Sequence, residues 1–161
     1  MTSGRRSAAS KMHPFNKSDL IFEGEIQSRL EEREGLIDSV LRELKAAGCR
    51  FDELVDRLSL DEAITNAILH GNQSVPTRKV VVRAYSTPEC WGVEIINEGP
   101  GYDWKSAARK ARTTVNLESP AGRGLTLILG SGADVHFLDR GRRILIVRRL
   151  AMDKNTPRAH G

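Results

Sequence analysis

Apolar positions along the chain follow two periods, in separate blocks. Between Leu20 and Ile26 they alternate with polar ones: Leu20, Phe22 and Ile26 are set against Glu23 and Glu25. Alternation predicts a strand with one buried face, here an edge strand. From Ser28 the spacing becomes helical, with Leu30, Ile37, Leu41 and Leu44 forming a stripe that Gly48 stops. Residues 51–70 predict a second helix. Phe51, Leu54, Val55 and Leu58 make one apolar face, Leu60, Ile64, Ala67 and Ile68 continue it after a slight rotation, and Gly71-Asn72 ends it. Two β-branched runs, residues 79–85 and 91–96, then predict a hairpin around Thr87-Pro88-Glu89. Residues 103–111 fit a short helix, 112–122 a loop and 124–129 a short buried helix. Residues 133–138 and 143–147 fit two closing strands around Asp139-Arg140-Gly141. Helices cluster together and strands mostly together, so the expected class is α+β, a two-layer sandwich rather than a doubly wound parallel sheet.

The ends differ from the body. A chain of 161 residues suits one domain. Residues 1–17 lack periodicity and predict a disordered basic arm, 18–150 the folded domain, and 151–161 a disordered polar tail. Residues 1–17 carry four basic and no acidic residues, and 140–161 seven basic and one acidic. The span 18–139 therefore holds 14 basic and 20 acidic residues. A nucleic-acid binder usually shows a basic stripe on a folded element with a matching motif, and neither is evident, so nucleic acid is not the expected partner. No apolar run approaches the ~20 residues of a membrane span, and no secretory or twin-arginine signal fits. Cys49 and Cys90 lie far apart and cannot make a disulfide framework or a four-cysteine zinc site, so a reducing, cytoplasmic setting is expected.

Chemistry concentrates in three places. Glu62, Asn66 and His70 are spaced four apart on the second helix, and each step of four rotates only ~40°, so they share one face. Asn is a mediocre helix former, which invites a reason for its place there. A carboxylate and a carboxamide one turn apart can serve as base and cation ligand. Magnesium needs few protein contacts when phosphates complete its shell. Asn97-Glu98-Gly99-Pro100-Gly101 follows the second hairpin strand, and Gly122-Arg123-Gly124 precedes a predicted helix, whose unpaired N–H groups suit phosphate. Neither a Walker-type phosphate loop nor a Rossmann fingerprint occurs.

These segments carry a resemblance. Residues 62–71, Glu-Ala-Ile-Thr-Asn-Ala-Ile-Leu-His-Gly, resemble the N box of the ATPase superfamily that includes gyrase and the sensor histidine kinases. Glu98-Gly99-Pro100-Gly101-Tyr102-Asp103 resembles its first glycine box, and residues 122–128, Gly-Arg-Gly-Leu-Thr-Leu-Ile, its second. The His-Gly after the N box and the Gly-Tyr-Asp ending are similar to the anti-sigma-factor serine kinases of bacterial partner switching. The resemblance covers about residues 20–150. It implies a Bergerat fold, with helices on one face of a mixed, mostly antiparallel sheet, and ATP and magnesium as ligands. By position, Asn66 would hold magnesium and Glu62 would be the general base. Asn66, His70, Asn97, Gly99, Gly101, Gly122, Arg123, Gly124 and Thr126 would line the nucleotide site, under a lid formed by 104–121.

The same resemblance implies an ATP-dependent protein serine kinase that phosphorylates an anti-anti-sigma-type partner and restrains a sigma factor or other regulator. A homodimer is compatible with it. One position departs from the family pattern: Asn97 stands where the first glycine box begins with Asp. A neutral amide accepts from adenine more weakly than a carboxylate. The alternative reading is therefore a nucleotide-responsive protein-binding switch without significant kinase activity.

Overall fold

The computed structural model describes residues 13–104, 106, 107, 109 and 128–150. Five strands form one sheet in the order β1-β2-β3-β5-β4: β1 Leu20–Gln27, β2 Lys79–Ser86, β3 Cys90–Asn97, β4 Asp134–Leu138 and β5 Arg143–Arg149. All four pairings among the described residues are antiparallel, in keeping with the mostly antiparallel sheet expected. β1 lies at the edge, as its alternation predicts. Two helices, α1 Arg33–Ala46 and α2 Glu53–Asn66, pack on the sheet. The architecture is the expected α+β.

The sheet's pleat decides what meets the helices. Val80, Val82 and Ala84 of β2 and Trp91, Val93 and Ile95 of β3 bury against Val40, Leu44, Leu60 and Ile64 of the helices. Side chains alternate across a strand, so the next member of the β3 series, Asn97, also turns toward the helix layer. Gly48 adopts φ +80° just after α1, the left-handed conformation a helix stop requires.

The second helix departs from its expected form. It opens at Glu53, because the Asp52 side chain caps it by accepting from Leu54 N at 3.0 Å and Val55 N at 2.8 Å. Leu54 and Leu58, expected in the core, are 68% and 41% exposed. The buried face at that end is polar instead: Asp56 is buried and ion-paired to Arg148 of β5, tying helix to sheet. The helix also does not run evenly to residue 70. After Asn66 it widens into a π turn, Ala67–Gly71, closed by Asn72 N donating to Ala67 O at 2.7 Å.

The opposite face of the sheet carries a correction. Residues 13–17 do not belong to a disordered arm. Phe15 is buried in a second apolar cluster with Tyr85, Cys90, Leu145 and Val147, and its ring stacks on Tyr85 with centroids 5.1 Å apart. It lies so close over Gly92 that a side chain there would collide with it. Beside it, His13 Nε2 lies 2.9 Å from an oxygen of Glu94, a carboxylate fully buried in the middle of β3. Residues 1–12, the 151–161 tail and most of the 104–121 lid lie outside the described residues.

Burying one Phe is worth about 1.5–3 kcal/mol. Deleting residues 1–17 is therefore expected to lower the melting temperature by roughly 4 °C or more, read by differential scanning calorimetry. An unchanged melting temperature would show that the 13–17 segment does not stabilise the sheet.

Candidate functional site

The site is built where the end of α2 meets the end of β3. Asn66 is buried on the last turn of α2, and its amide makes no hydrogen bond among the described residues. Glu62, one turn earlier, is half-buried. Its carboxyl is held above the ordinary glutamate range, first by burial and then by the neighbouring Asp61 charge, with Arg33 opposing. A carboxylate displaced in that direction is a better proton acceptor than a free one. The i,i+4 relation of Glu62 and Asn66 survives, because both lie within regular α-helix. The relation does not extend to His70, because the π turn changes the phase after Asn66. His70 instead stacks on Tyr102, with centroids 4.9 Å apart and planes inclined at 21°.

Asn97 reaches the same junction from the strand side. It is buried, and its Nδ2 is without a hydrogen-bond partner among the described residues. The amide packs directly on Gly71, where any side chain would strike it. A buried orphan amide is costly, which makes this position at the sheet end a candidate for ligand contact. The structure thus brings Asn66, Gly71 and Asn97 to one junction.

The glycines of the first box sit where the backbone approaches itself closely. A side chain on Gly99 would overlap the Gly71 carbonyl and the Asn72 backbone. Gly101, at φ +96°, presses on the Arg140 carbonyl. These two positions need glycine because the chain approaches itself there, at the α2 end and at the β4–β5 turn. Gly122, Arg123, Gly124 and Thr126 lie outside the described residues.

Two supporting elements carry no motif. Asn72, fully buried, accepts from Glu98 N at 2.9 Å and Gly99 N at 2.8 Å. Its Nδ2 donates to Ser28 Oγ and to Lys79 O, both at 2.9 Å. One side chain thereby joins the helix end to β2, to the residue that follows β1 and to the glycine segment. Its only sequence signal is an Asn after a helix-ending Gly, a pattern that any turn shares. The β4–β5 turn is the second element. Asp139, Arg140 and Gly141 all have positive φ, an uncommon run that includes two non-glycine residues. It clasps the glycine segment: Arg142 Nε donates to Gly99 O at 3.1 Å, and Trp104 Nε1 to Gly141 O at 3.0 Å. A cavity of about 300 Å³ opens between segment and turn, lined by Tyr102, Trp104, Phe137 and Arg140 among others. Neither Glu62, Asn66 nor Asn97 lines it.

The residues present fit a magnesium nucleotide. Among the described residues no cluster of three or more His, Cys, Asp or Glu could hold a metal alone. A single buried carboxamide, Asn66, suits an ion whose remaining positions are filled by phosphates and water. The orphaned Asn97 amide suits a base edge.

A sheet with helices on one face, a helix carrying Glu62 and Asn66, and a glycine segment at the end of a central strand are the arrangement expected of the histidine-kinase-type ATPase fold. The family model of the histidine kinase-like ATPase domain matches residues 26–149, and the chain belongs to that family. No curated protein matches the chain. The family is one of ATP-binding domains. Among the described residues no helix is long and apolar enough to cross a membrane.

Proposed function

We propose that this protein is a magnesium- and ATP-dependent regulatory protein serine kinase, similar to the anti-sigma-factor kinases. Its substrate is an anti-anti-sigma-type partner, and phosphorylation decides whether it holds that partner or a sigma factor or other regulator. The observation that carries this reading is the α2 pair: a half-buried carboxylate with raised proton affinity, one turn from a buried carboxamide that makes no hydrogen bond among the described residues. Asn66 holds magnesium, and the ion supplies charge neutralisation along the phosphates. Asn97 meets the adenine edge. Glu62 takes the proton from a serine hydroxyl as that oxygen bonds to the γ-phosphorus and the bond to ADP breaks. Phosphoryl transfer needs mainly positioning and electrostatics, so few groups suffice. Incubation with ATP labelled in the γ-phosphate, magnesium and anti-anti-sigma-type proteins tests it. Label on a partner serine is expected, and its absence with every such partner would overturn the kinase reading.

A second reading, a nucleotide-responsive switch without kinase activity, draws on Asn97. The neutral amide forgoes the charge-assisted bond that an Asp would offer. Asn97→Asp is expected to tighten ATP binding by about 1 kcal/mol, the difference between a neutral and a charge-assisted hydrogen bond. The same change lowers the melting temperature of the nucleotide-free protein, because the new carboxylate is buried beside Gly71 with no partner. Calorimetric titration with ATP and with GTP checks both the affinity and the base preference. No change in either would mean that Asn97 does not read the base.

A further inference from the structure

Arg33, the first residue of α1, reaches across to α2 with two prongs. Its Nε lies 3.0 Å from Asp61 Oδ1, and its Nη1 donates to Thr65 Oγ1 at 2.6 Å. Asp61 and Thr65 are four residues apart, so one guanidinium spans a full turn of α2, and Glu62 lies within that turn. Arg33 and Asp61 are each about one-third exposed. An ion pair so solvated adds little to stability. Its geometry is nevertheless specific: a planar fork can hold a carboxylate and a hydroxyl at once, which an ammonium point charge cannot do in the same way.

We propose that Arg33 is a positioning residue for Glu62: by gripping Asp61 and Thr65 it fixes this turn of α2 and balances the charge against which Glu62 accepts a proton. The inference rests on the reading of Glu62 as the general base. Two charges bear on Glu62 beyond its burial. Asp61 beside it on α2 favours the protonated form, and Arg33 from α1 favours the ionised form. The other ion pair between the helices among the described residues lies further toward the start of α2, where Arg57 engages Asp38 of α1 and also Glu53 of its own helix. Glu62 therefore sits under a local balance that one residue on each helix controls, with opposite signs.

The test is a carbon-detected NMR titration of the Glu62 carboxyl in the full chain, beside the pH profile of phosphotransfer. Arg33→Gln removes the cation and leaves Asp61 unopposed, so the Glu62 titration moves to higher pH and the acid limb of the rate profile follows. Asp61→Asn moves both to lower pH. Arg33→Lys keeps the charge but not the fork. Its titration stays close to that of the original protein, while phosphotransfer at high pH, where Glu62 is ionised in every variant, falls. Retained melting curves show that each variant folds. Titrations unmoved in both Arg33→Gln and Asp61→Asn, or moved in the same direction, overturn the inference. Titrations that shift oppositely while the rate profile stays still support Arg33 as the residue that sets Glu62 and overturn Glu62 as the base.

Discussion

Phosphotransfer is expected to fall ~10²–10⁴-fold in Glu62→Gln, the usual contribution of a general base, while magnesium-dependent ATP binding is retained. The separation follows from the proposed roles: Glu62, as proton acceptor, lies one turn of α2 from Asn66, the proposed magnesium ligand. The fold tolerates the change. Burial raises the Glu62 pKa in the folded chain, so the ionised carboxylate opposes folding. That penalty appears as pH rises through the unfolded pKa and is complete above the folded one. A neutral amide at pH 7 removes the penalty, so Glu62→Gln melts no lower than the original protein. The companion change, Asn66→Ala, takes away the carboxamide and is expected to abolish the magnesium dependence of ATP binding. Calorimetry with and without magnesium and a γ-phosphate transfer assay read the two effects. Unaltered phosphotransfer in Glu62→Gln would remove it as the base.

The second large effect is on stability, at a residue with no chemistry of its own. Asn72→Ala strips partners from two backbone amides, a serine hydroxyl and a carbonyl in one step. Leaving a buried polar group unsatisfied costs about 1–3 kcal/mol, and partial entry of water lowers the sum. The expected loss is about 3 kcal/mol or more, read as a lower urea midpoint with the slope unchanged. Ser28→Ala, which removes one of the four contacts, is expected to cost about 1 kcal/mol. Equal midpoints for Asn72→Ala and the original protein would show that water satisfies the junction without Asn72.

Much of the fold is written in local patterns. β2 and β3 are legible because runs of β-branched residues suit a pleated strand, and α1 because its apolar stripe ends at a glycine with left-handed φ. The Glu62–Asn66 pair was legible because both lie on regular helix. What escaped has non-local causes. Phe15 is one aromatic in a polar run, without period, and its docking place is an absent side chain at Gly92 on a strand far along the chain. Leu54 and Leu58 match a helical stripe, yet the core at that end of α2 is occupied by the Asp56–Arg148 pair, whose members are 92 residues apart. The π turn that rotates His70 away from Glu62 follows from the closure at Asn72, which no local propensity encodes. The glycines at 99 and 101 were visible as glycines, but what they make room for is set by tertiary contact.

The junction of Gly71, Asn72, Asn97 and Gly99 also has a dynamic consequence. Residues 98–99 form a connection rather than a strand, and such connections ordinarily open at almost no cost. Here both amides are held by a fully buried side chain that simultaneously anchors β2 and follows the end of the second helix. The connection therefore belongs to the same cooperative unit as the helix end and cannot open without it. The helix end that carries Asn66 and the strand end that carries Asn97 therefore move as one unit, and thermal breathing at this joint disturbs both together.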